Sequence, residues 1–359
     1  MMTKKALLYC MLLLICCSMF LVECGSKIED IPTPEKPAAL SEAAQTMQQL
    51  WETSPLAMST ARQGAFDKIQ RYADDCPKAY FRNDYWKASD AACESMEKRD
   101  PVLTCYRRSF DRVLDGIKNE PVEEGTVTIW MLYNMGYVIK TPSACFGIDI
   151  YHRWALKLAP YLDFLCVTHN HTDHYSSDLI QAMFDANKPV FSNYLKKGTG
   201  YAYTSTVDKS YTIGKFAIRT AITDHNGTAE GKNFITVFRI DCGDDTGNFT
   251  FLHIGDSNFK TSQYSNVQGP LDVYIPRYAP EPHGGDENLI IGAGSGQVQP
   301  TYVLLSHILE LGHDGVENSR WPLDMALYRA SIISCERTYV PFWGEKLVWK
   351  NGALHHDFN

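Results

Sequence analysis

Apolar and polar positions follow three successive patterns along this chain. From Ala6 to Val22, behind Lys4 and Lys5, the residues are almost all apolar. Between residues 38 and 118, apolar positions recur every three or four residues in AALSEAAQTMQQLWETS, ARQGAFDKIQRYADDC and VLTCYRRSFDRVLDGIKN. That period puts one helix face against a core and predicts three or four helices, forming an N-terminal helical subdomain over 38–118. Trp51, Phe66, Tyr72, Trp86 and Phe110 fall at helical spacing and are expected in its core. After Gly125 the apolar residues gather in short β-branched and aromatic runs: TVTIWML, YVIKT, FGIDIY, FLCVT, PVFSN, FAIRTAI, ITVFRID, FTFLHIGD, VYIPR and YVLLSH. Length and composition predict strands. Helical patterns, SSDLIQAMFDAN and PLDMALYRASIISC, fall between some of them. The body, 119–359, is therefore expected to mix α and β, with helices covering sheets.

The first segment has two lysines, an apolar run and then small residues after Cys24, which predicts an export signal over 1–24. Its end, Leu21-Val-Glu-Cys24-Gly-Ser, resembles a bacterial lipobox, in which the cysteine becomes the lipidated first residue of the mature chain; Glu23 departs from the usual small residue. Another cleaved signal or an uncleaved anchor are the alternatives. All three place the folded part outside the cytoplasm, periplasmic or at the cell surface, and lipidation would attach it to the membrane at Cys24. Residues 25–37 include KIEDIPTPEKP, polar with three prolines, which suits a linker.

The formal charge of −8 gives no general attraction to phosphate polymers, and no basic strip offsets it, so nucleic acid is not an expected partner. Outside the first segment the cysteines are Cys76, Cys93, Cys105, Cys145, Cys166, Cys242 and Cys335, with no CxxC pair. An exported compartment permits a disulfide among Cys76, Cys93 and Cys105, while buried free thiols are the equal alternative.

The densest chemistry lies in CVTHNHTDH, residues 166–174. Phe164 to Thr168 is expected as a buried strand and SSDLIQAMFDAN as a helix capped by Ser176 or Ser177, so HNHTDH occupies the turn between them. Such turns are where sites are built. His169 and His171, two apart, can converge on one cation, and Asp173 and His174 are placed to face a second. Imidazole nitrogen and carboxylate oxygen are what a zinc-like divalent ion prefers.

HxHxDH after an apolar strand resembles the signature of the metallo-β-lactamase superfamily. The resemblance covers roughly residues 125 to 345. It implies an α/β fold, an αββα sandwich of two sheets with metals at one edge, here behind the helical subdomain. Further pieces follow in order: FGIDIY supplies Asp149, AITDHNGT supplies His225, FLHIGDS supplies Asp256 and YVLLSH supplies His307. The resemblance implies that His169, His171 and His225 hold one metal, that Asp173, His174 and His307 hold the other, and that Asp256 bridges them. Asp149 would orient the ligand loop by hydrogen bonds. The implied cofactors are two divalent ions, Zn2+ or else Mn2+ or Fe, sharing a hydroxide that becomes a nucleophile at neutral pH. Asp173 and Asp256 are then the catalytic carboxylates.

The implied activity is metal-dependent hydrolysis of an ester-type bond, phosphodiester or lactone, in a small or lipid-like substrate. A non-catalytic ligand-binding lipoprotein and a β-lactam hydrolase are the alternatives. The layout is similar to the lactonase and phosphodiesterase branch, which has a Gly-His pair after the tryptophan strand. Here Trp130 leads instead to Leu132-Tyr133-Asn134, so Tyr133 and Asn134 become candidate substrate contacts. Arg277, Tyr278 and His283, in IPRYAPEPHGGDE, are candidates for a substrate lip, and His313 for a proton donor lining the pocket. HILELGH is not HExxH, and GAGSG lacks the context of a phosphate loop. His253, His355 and His356 are expected to stand apart from the chemistry.

Overall fold

The computed structural model describes residues 41–196, 200–225, 230–278, 286–315 and 320–356. The signal over 1–24, Cys24, the linker over 25–37 and His283 lie outside the described residues.

Four α-helices come first: Glu42–Trp51, Thr60–Asp74, Asp90–Arg99 and Pro101–Asn119. Each begins where a side-chain oxygen takes up an otherwise orphaned backbone N–H. Ser41, Ser59 and Ser89 do so for the first three, and Asp100 accepts from both Val102 N and Leu103 N ahead of the fourth. Between the second and third lies a π-helical turn, Tyr80–Tyr85.

The first sheet contains β1 (Thr126–Tyr133), β2 (Gly136–Lys140), β3 (Cys145–Ile148), β4 (Phe164–Cys166), β5 (Val190–Ser192) and β6 (Ala202–Thr204). The second contains β7 (Ser210–Ile213), β8 (Phe216–Thr223), β9 (Ile235–Asp241), β10 (Thr250–His253), β11 (Gly269–Ile275), β12 (Val298–Leu304) and β13 (Thr338–Tyr339). The chain then returns to the first sheet as β14 (Lys346–Lys350) and β15 (Ala353–His356). Strand order is β15-β14-β1-β2-β3-β4-β5-β6 in one and β13-β12-β11-β10-β9-β8-β7 in the other. Both sheets are mixed. β3 to β6 run parallel in the first and β10 to β13 in the second, with antiparallel pairs elsewhere. The short strands β6, β7 and β13 and the hairpin β14–β15 carry too little apolar pattern to have been read from the sequence.

The two packed sheets, preceded by the helices, match the αββα metallo-β-lactamase-like sandwich. Helices and sheets share one hydrophobic core. Pro101–Asn119 lies so close to β1 that a Cβ on Gly116 would come within 2.7 Å of the Trp130 indole, which only glycine tolerates. Polar ties reinforce the contact: Trp51 Nε1 donates to Trp343 O at 2.9 Å, and the buried Arg62 pairs with buried Glu345 while donating to Val340 O. Cys76, Cys93, Cys105, Cys145, Cys166, Cys242 and Cys335 are all free thiols, so no disulfide joins Cys76, Cys93 and Cys105. The first three are buried at separate places in the helical packing, as small apolar groups.

Candidate metal centre

Parallel strands deliver their C-terminal ends to one edge, and most of the predicted ligands sit just beyond such ends. Asp149 follows β3, His169 follows β4, Asp256 follows β10 and His307 follows β12. His225, beyond antiparallel β8, reaches the same edge through a bridge with Ser257. The loop after β4 is held where it leaves the strand, by Val167 N to Phe191 O at 2.9 Å and by Thr236 N to Thr168 O at 2.8 Å. Ser176 Oγ accepts from Leu179 N and starts the helix Ser177–Asp185.

Two ligand groups result: His169, His171, His225 and Asp256, then Asp173, His174, Asp256 and His307, the ligand atoms in each within 4.8 Å of one another. Asp256 belongs to both. Its Oδ2 lies 3.2 Å from His225 Nε2 and 3.9 Å from His169 Nε2, and its Oδ1 lies 3.3 Å from His174 Nε2 and 3.5 Å from His307 Nε2. Asp173 Oδ2 is 3.3 Å from both His174 Nε2 and His307 Nε2. Ligands at ~2.0–2.1 Å around a tetrahedral zinc stand roughly 3.3 Å apart, so these spacings suit an ion within each group. The donors are also left open for one. His169 Nε2, His174 Nε2, His307 Nε2 and Asp256 Oδ1 are buried without a hydrogen-bond partner, a costly state that a cation relieves.

A hydrogen-bonded frame fixes the tautomers. Asp149 Oδ2 accepts from His174 Nδ1 at 2.8 Å and from Thr168 Oγ1 at 2.7 Å, while Oδ1 accepts from Thr168 N at 2.8 Å. Thr168 Oγ1, its own proton given to Asp149, accepts from His169 Nδ1 at 3.0 Å. One buried carboxylate thereby turns the Nε2 atoms of two histidines toward the metals. Gly255, at φ +52, lets the backbone approach Thr168, where a Cβ would overlap the side chain. Phe234 packs against the rings of His169, His171 and His225 at 5.5, 5.0 and 6.1 Å.

Charge and burial divide the groups. Burial holds His169 and His171 below the ordinary imidazole range, and neighbouring histidines add to this, so both are neutral ligands at pH 7. Burial also pulls His174 down, but Asp256, Asp173 and Asp149 outweigh it and raise this group well above that range. Burial pushes Asp173 and Asp256 up, yet surrounding imidazoles, His174 for Asp173 and His307 with His174 for Asp256, hold both well below the carboxylate range. Without a cation, His174 keeps a proton that metal binding must displace.

The four candidate substrate residues separate on inspection. Tyr133 is not a substrate contact: its ring is fully buried against Tyr106 and Trp343, and its hydroxyl donates to Glu310 Oε1 at 3.2 Å and accepts from Leu311 N at 2.6 Å. Asn134 is also fully buried and supports ligands instead. Its Nδ2 donates to Asp173 Oδ2 at 3.2 Å, and its carbonyl accepts from His307 N at 3.1 Å. Tyr278 is buried edge-on to Trp321, 5.8 Å between centroids, with its backbone N bonded to Ser306 O, which places it under the His307 strand end and not on a lip. His313 is half-buried, 6.4 Å from the His307 ring, with Nδ1 3.2 Å from Glu310 Oε2.

One histidine assignment changes. His253 is buried beneath the site, donating Nε2–H to Met135 O at 2.9 Å, its Nδ1 accepting from Gly255 N and lying 4.0 Å from Asp149 Oδ2. Glu310, in HILELGH, is also buried here, and no motif in the sequence marks it.

The sandwich and its two ligand groups together form a candidate two-metal site on a metallo-β-lactamase-like fold. No family model matches the chain, and no curated protein matches it either. Among solved structures it is similar to the metallo-β-lactamase fold protein YhfI from Bacillus subtilis, at 18% identity and TM-score 0.45, over 63% of this chain and 99% of that one. It is also similar to Igni18, a metallo hydrolase from Ignicoccus hospitalis, at 14% identity and TM-score 0.46, over 63% and 99%. A third is CmlA, a diiron β-hydroxylase from Streptomyces venezuelae, at 14% identity and TM-score 0.45, over 64% and 54%.

Proposed function

We propose that the protein hydrolyses an ester-type bond, phosphodiester or lactone, in a small or lipid-like substrate, with two divalent ions, zinc by preference. The observation that carries this reading is Asp256, whose two oxygens face different histidine sets. An anionic bridge offsets the repulsion of two dications held close together. A metal pair in such a site supplies Lewis acidity and a water acidified toward neutral pH. The chain's own residues do the rest. His169, His171 and His225 bind on one side, and Asp173, His174 and His307 on the other. Asp149 and Asn134 keep the Nε2 and Oδ2 donors aimed. His313, partly exposed beside Glu310, is placed to hand a proton to the leaving group.

The apolar run from Ala6 to Val22 and the ending LVEC24 support a location outside the cytoplasm, periplasmic or at the cell surface, with attachment to a membrane through lipid on Cys24. No helix among the described residues is long and apolar enough to cross a membrane.

The test is metal analysis of the purified protein with a panel of chromogenic phosphodiesters, lactones and β-lactams. Two equivalents of metal and turnover of an ester class are expected. Tight ligand binding with no turnover across the panel would replace hydrolysis with capture.

A further inference from the structure

We infer that Glu310 is the positioning residue for proton donation: it turns the His313 ring so that Nδ1 lies inward and Nε2 outward beside the metal edge, and Arg82, from the helical layer, keeps the Glu310 carboxylate in place. This rests on the hydrolase reading and deepens it, because it says how the proton donor is aimed and gives the N-terminal helices a part in the reaction.

Glu310 and His313 lie on the segment that leaves the ligand His307. That segment is a tight turn under strain, for His307 and Leu309 have φ of 67° and 58°, left-handed values that a residue with a bulky side chain rarely adopts. Three hydrogen bonds hold it there: His307 N donates to Asn134 O at 3.1 Å, Leu309 N to Trp321 O at 2.9 Å, and Leu311 N to the Tyr133 hydroxyl at 2.6 Å. The turn brings the His313 ring back to 6.4 Å from the His307 ring and leaves Glu310 only 1% exposed.

The two edges of the His313 ring differ. Nδ1 is buried 3.2 Å from Glu310 Oε2, while the side chain as a whole is 21% exposed, so the open edge is the opposite one, which carries Nε2. Neither Nδ1 nor Oε2 has a hydrogen-bond partner elsewhere among the described residues. Glu310 Oε1 accepts from the Tyr133 hydroxyl at 3.2 Å. Arg82 Nε, buried and also without a hydrogen bond, stands at the same place. A Cβ on Gly312 would come within 2.8 Å of Glu310 Oε1, 2.9 Å of Arg82 Nε and 3.0 Å of Glu310 Oε2, so glycine is what lets carboxylate and guanidinium close on the chain here. A carboxylate this deeply buried is costly without a cation nearby, and the helical layer supplies one.

As the bond to the leaving group breaks, His313 Nε2 gives its proton to the leaving oxygen, which keeps the bonding electron pair. Nδ1–H stays with Glu310, and solvent returns a proton to Nε2. Glu310 belongs to neither ligand group and acts only by choosing which ring nitrogen faces out.

The experiment takes two readouts from the zinc-loaded full chain. The first is nitrogen NMR of isotope-labelled histidines, in which the His313 signal is the one missing from His313→Gln. Wild type should show Nδ1 of His313 protonated, and Glu310→Gln should move the signal toward a mixture of tautomers. Arg82→Gln should move it the same way by less, and Arg82→Lys should restore part of the shift. The second is turnover of a nitrophenyl ester, whose leaving oxygen needs no proton, beside the ethyl ester of the same acid, whose leaving oxygen does. Glu310→Gln should lower kcat about 10-fold more for the ethyl ester than for the nitrophenyl ester, with KM and zinc content unchanged. That extra loss should vanish in the His313→Gln background. An unmoved His313 signal in Glu310→Gln, equal losses on the two esters, or the same extra loss with and without His313 overturns the positioning role. A moved signal in a protein that cleaves no ester keeps the aiming by Glu310 and ends the hydrolase reading, and an unmoved signal with esters still cleaved does the reverse.

Discussion

The two ligand groups share Asp256 and otherwise differ in how they are built. In the first, His171 is exposed, the histidines pack around Phe234, and His169 is tied to the Asp149 frame only through Thr168. In the second every ligand is buried, and three are gripped by hydrogen bonds: His174 by Asp149, Asp173 by Asn134 and the His307 backbone by the Asn134 carbonyl. The second group is also where backbone strain collects. Asn134, Asp149 and His307 have φ of 54°, 48° and 67°, in the left-handed region that non-glycine residues enter at a cost of about 1–3 kcal/mol each. The surrounding structure has to hold these residues there, which makes the second site the preorganised one and the first the exchangeable one.

Removing what the groups share should have the largest effect. Asp256→Ala is expected to lose both metal equivalents and roughly 10³-fold in ester turnover, checked by metal analysis beside kinetics. Retention of one full equivalent would mean the groups are independent.

Timed exposure to a chelator should remove the two equivalents in two phases, the faster from the His171 side. His171→Ala should abolish the fast phase and leave the slow one. A single phase in the wild type would erase the proposed asymmetry.

Asn134→Gly is the finer probe of the second group. Glycine accepts φ 54° without strain but removes the amide that steadies Asp173, so second-site affinity should fall about 10- to 100-fold while thermal stability holds. Loss of stability without loss of affinity would make Asn134 a packing residue only.

The smallest effect on either group is expected from His152, which lies outside both. It is fully buried, stacked 3.8 Å from Tyr106, with Nε2–H donating to Tyr106 O and Nδ1 accepting from Trp154 N. Burial depresses it from its ordinary 6.5 to about 3. Between these values the unfolded chain binds more protons than the folded one, so stability is complete above about pH 6.5 and is lost as pH falls toward 3. Denaturant titrations of His152→Phe should show lower stability overall with a flatter pH profile, and metal content at neutral pH should not change.

The first group was largely legible because its ligands lie in one dense motif plus one histidine after a strong strand. His225, Asp256 and His307 were legible by their places at strand ends, where apolar runs stop and a polar residue has to face the edge. What the sequence hid was contact across long separations. Tyr133 ends β1 and Asn134 follows it, and strand alternation with a left-handed turn buries the first in the aromatic core and sets the second against Asp173. His253 ends β10, as its apolar run suggests, but alternation cannot reveal that its Nε2 reaches the Met135 carbonyl.

The seven body cysteines have a practical consequence. Six are buried as thiols, and Cys335 is only partly accessible. Burial pushes several of them, Cys76, Cys105 and Cys145 among them, up to about 12, so they carry almost no thiolate to react. Among the described residues no disulfide has to form, so the folded protein should keep its thermal stability in dithiothreitol.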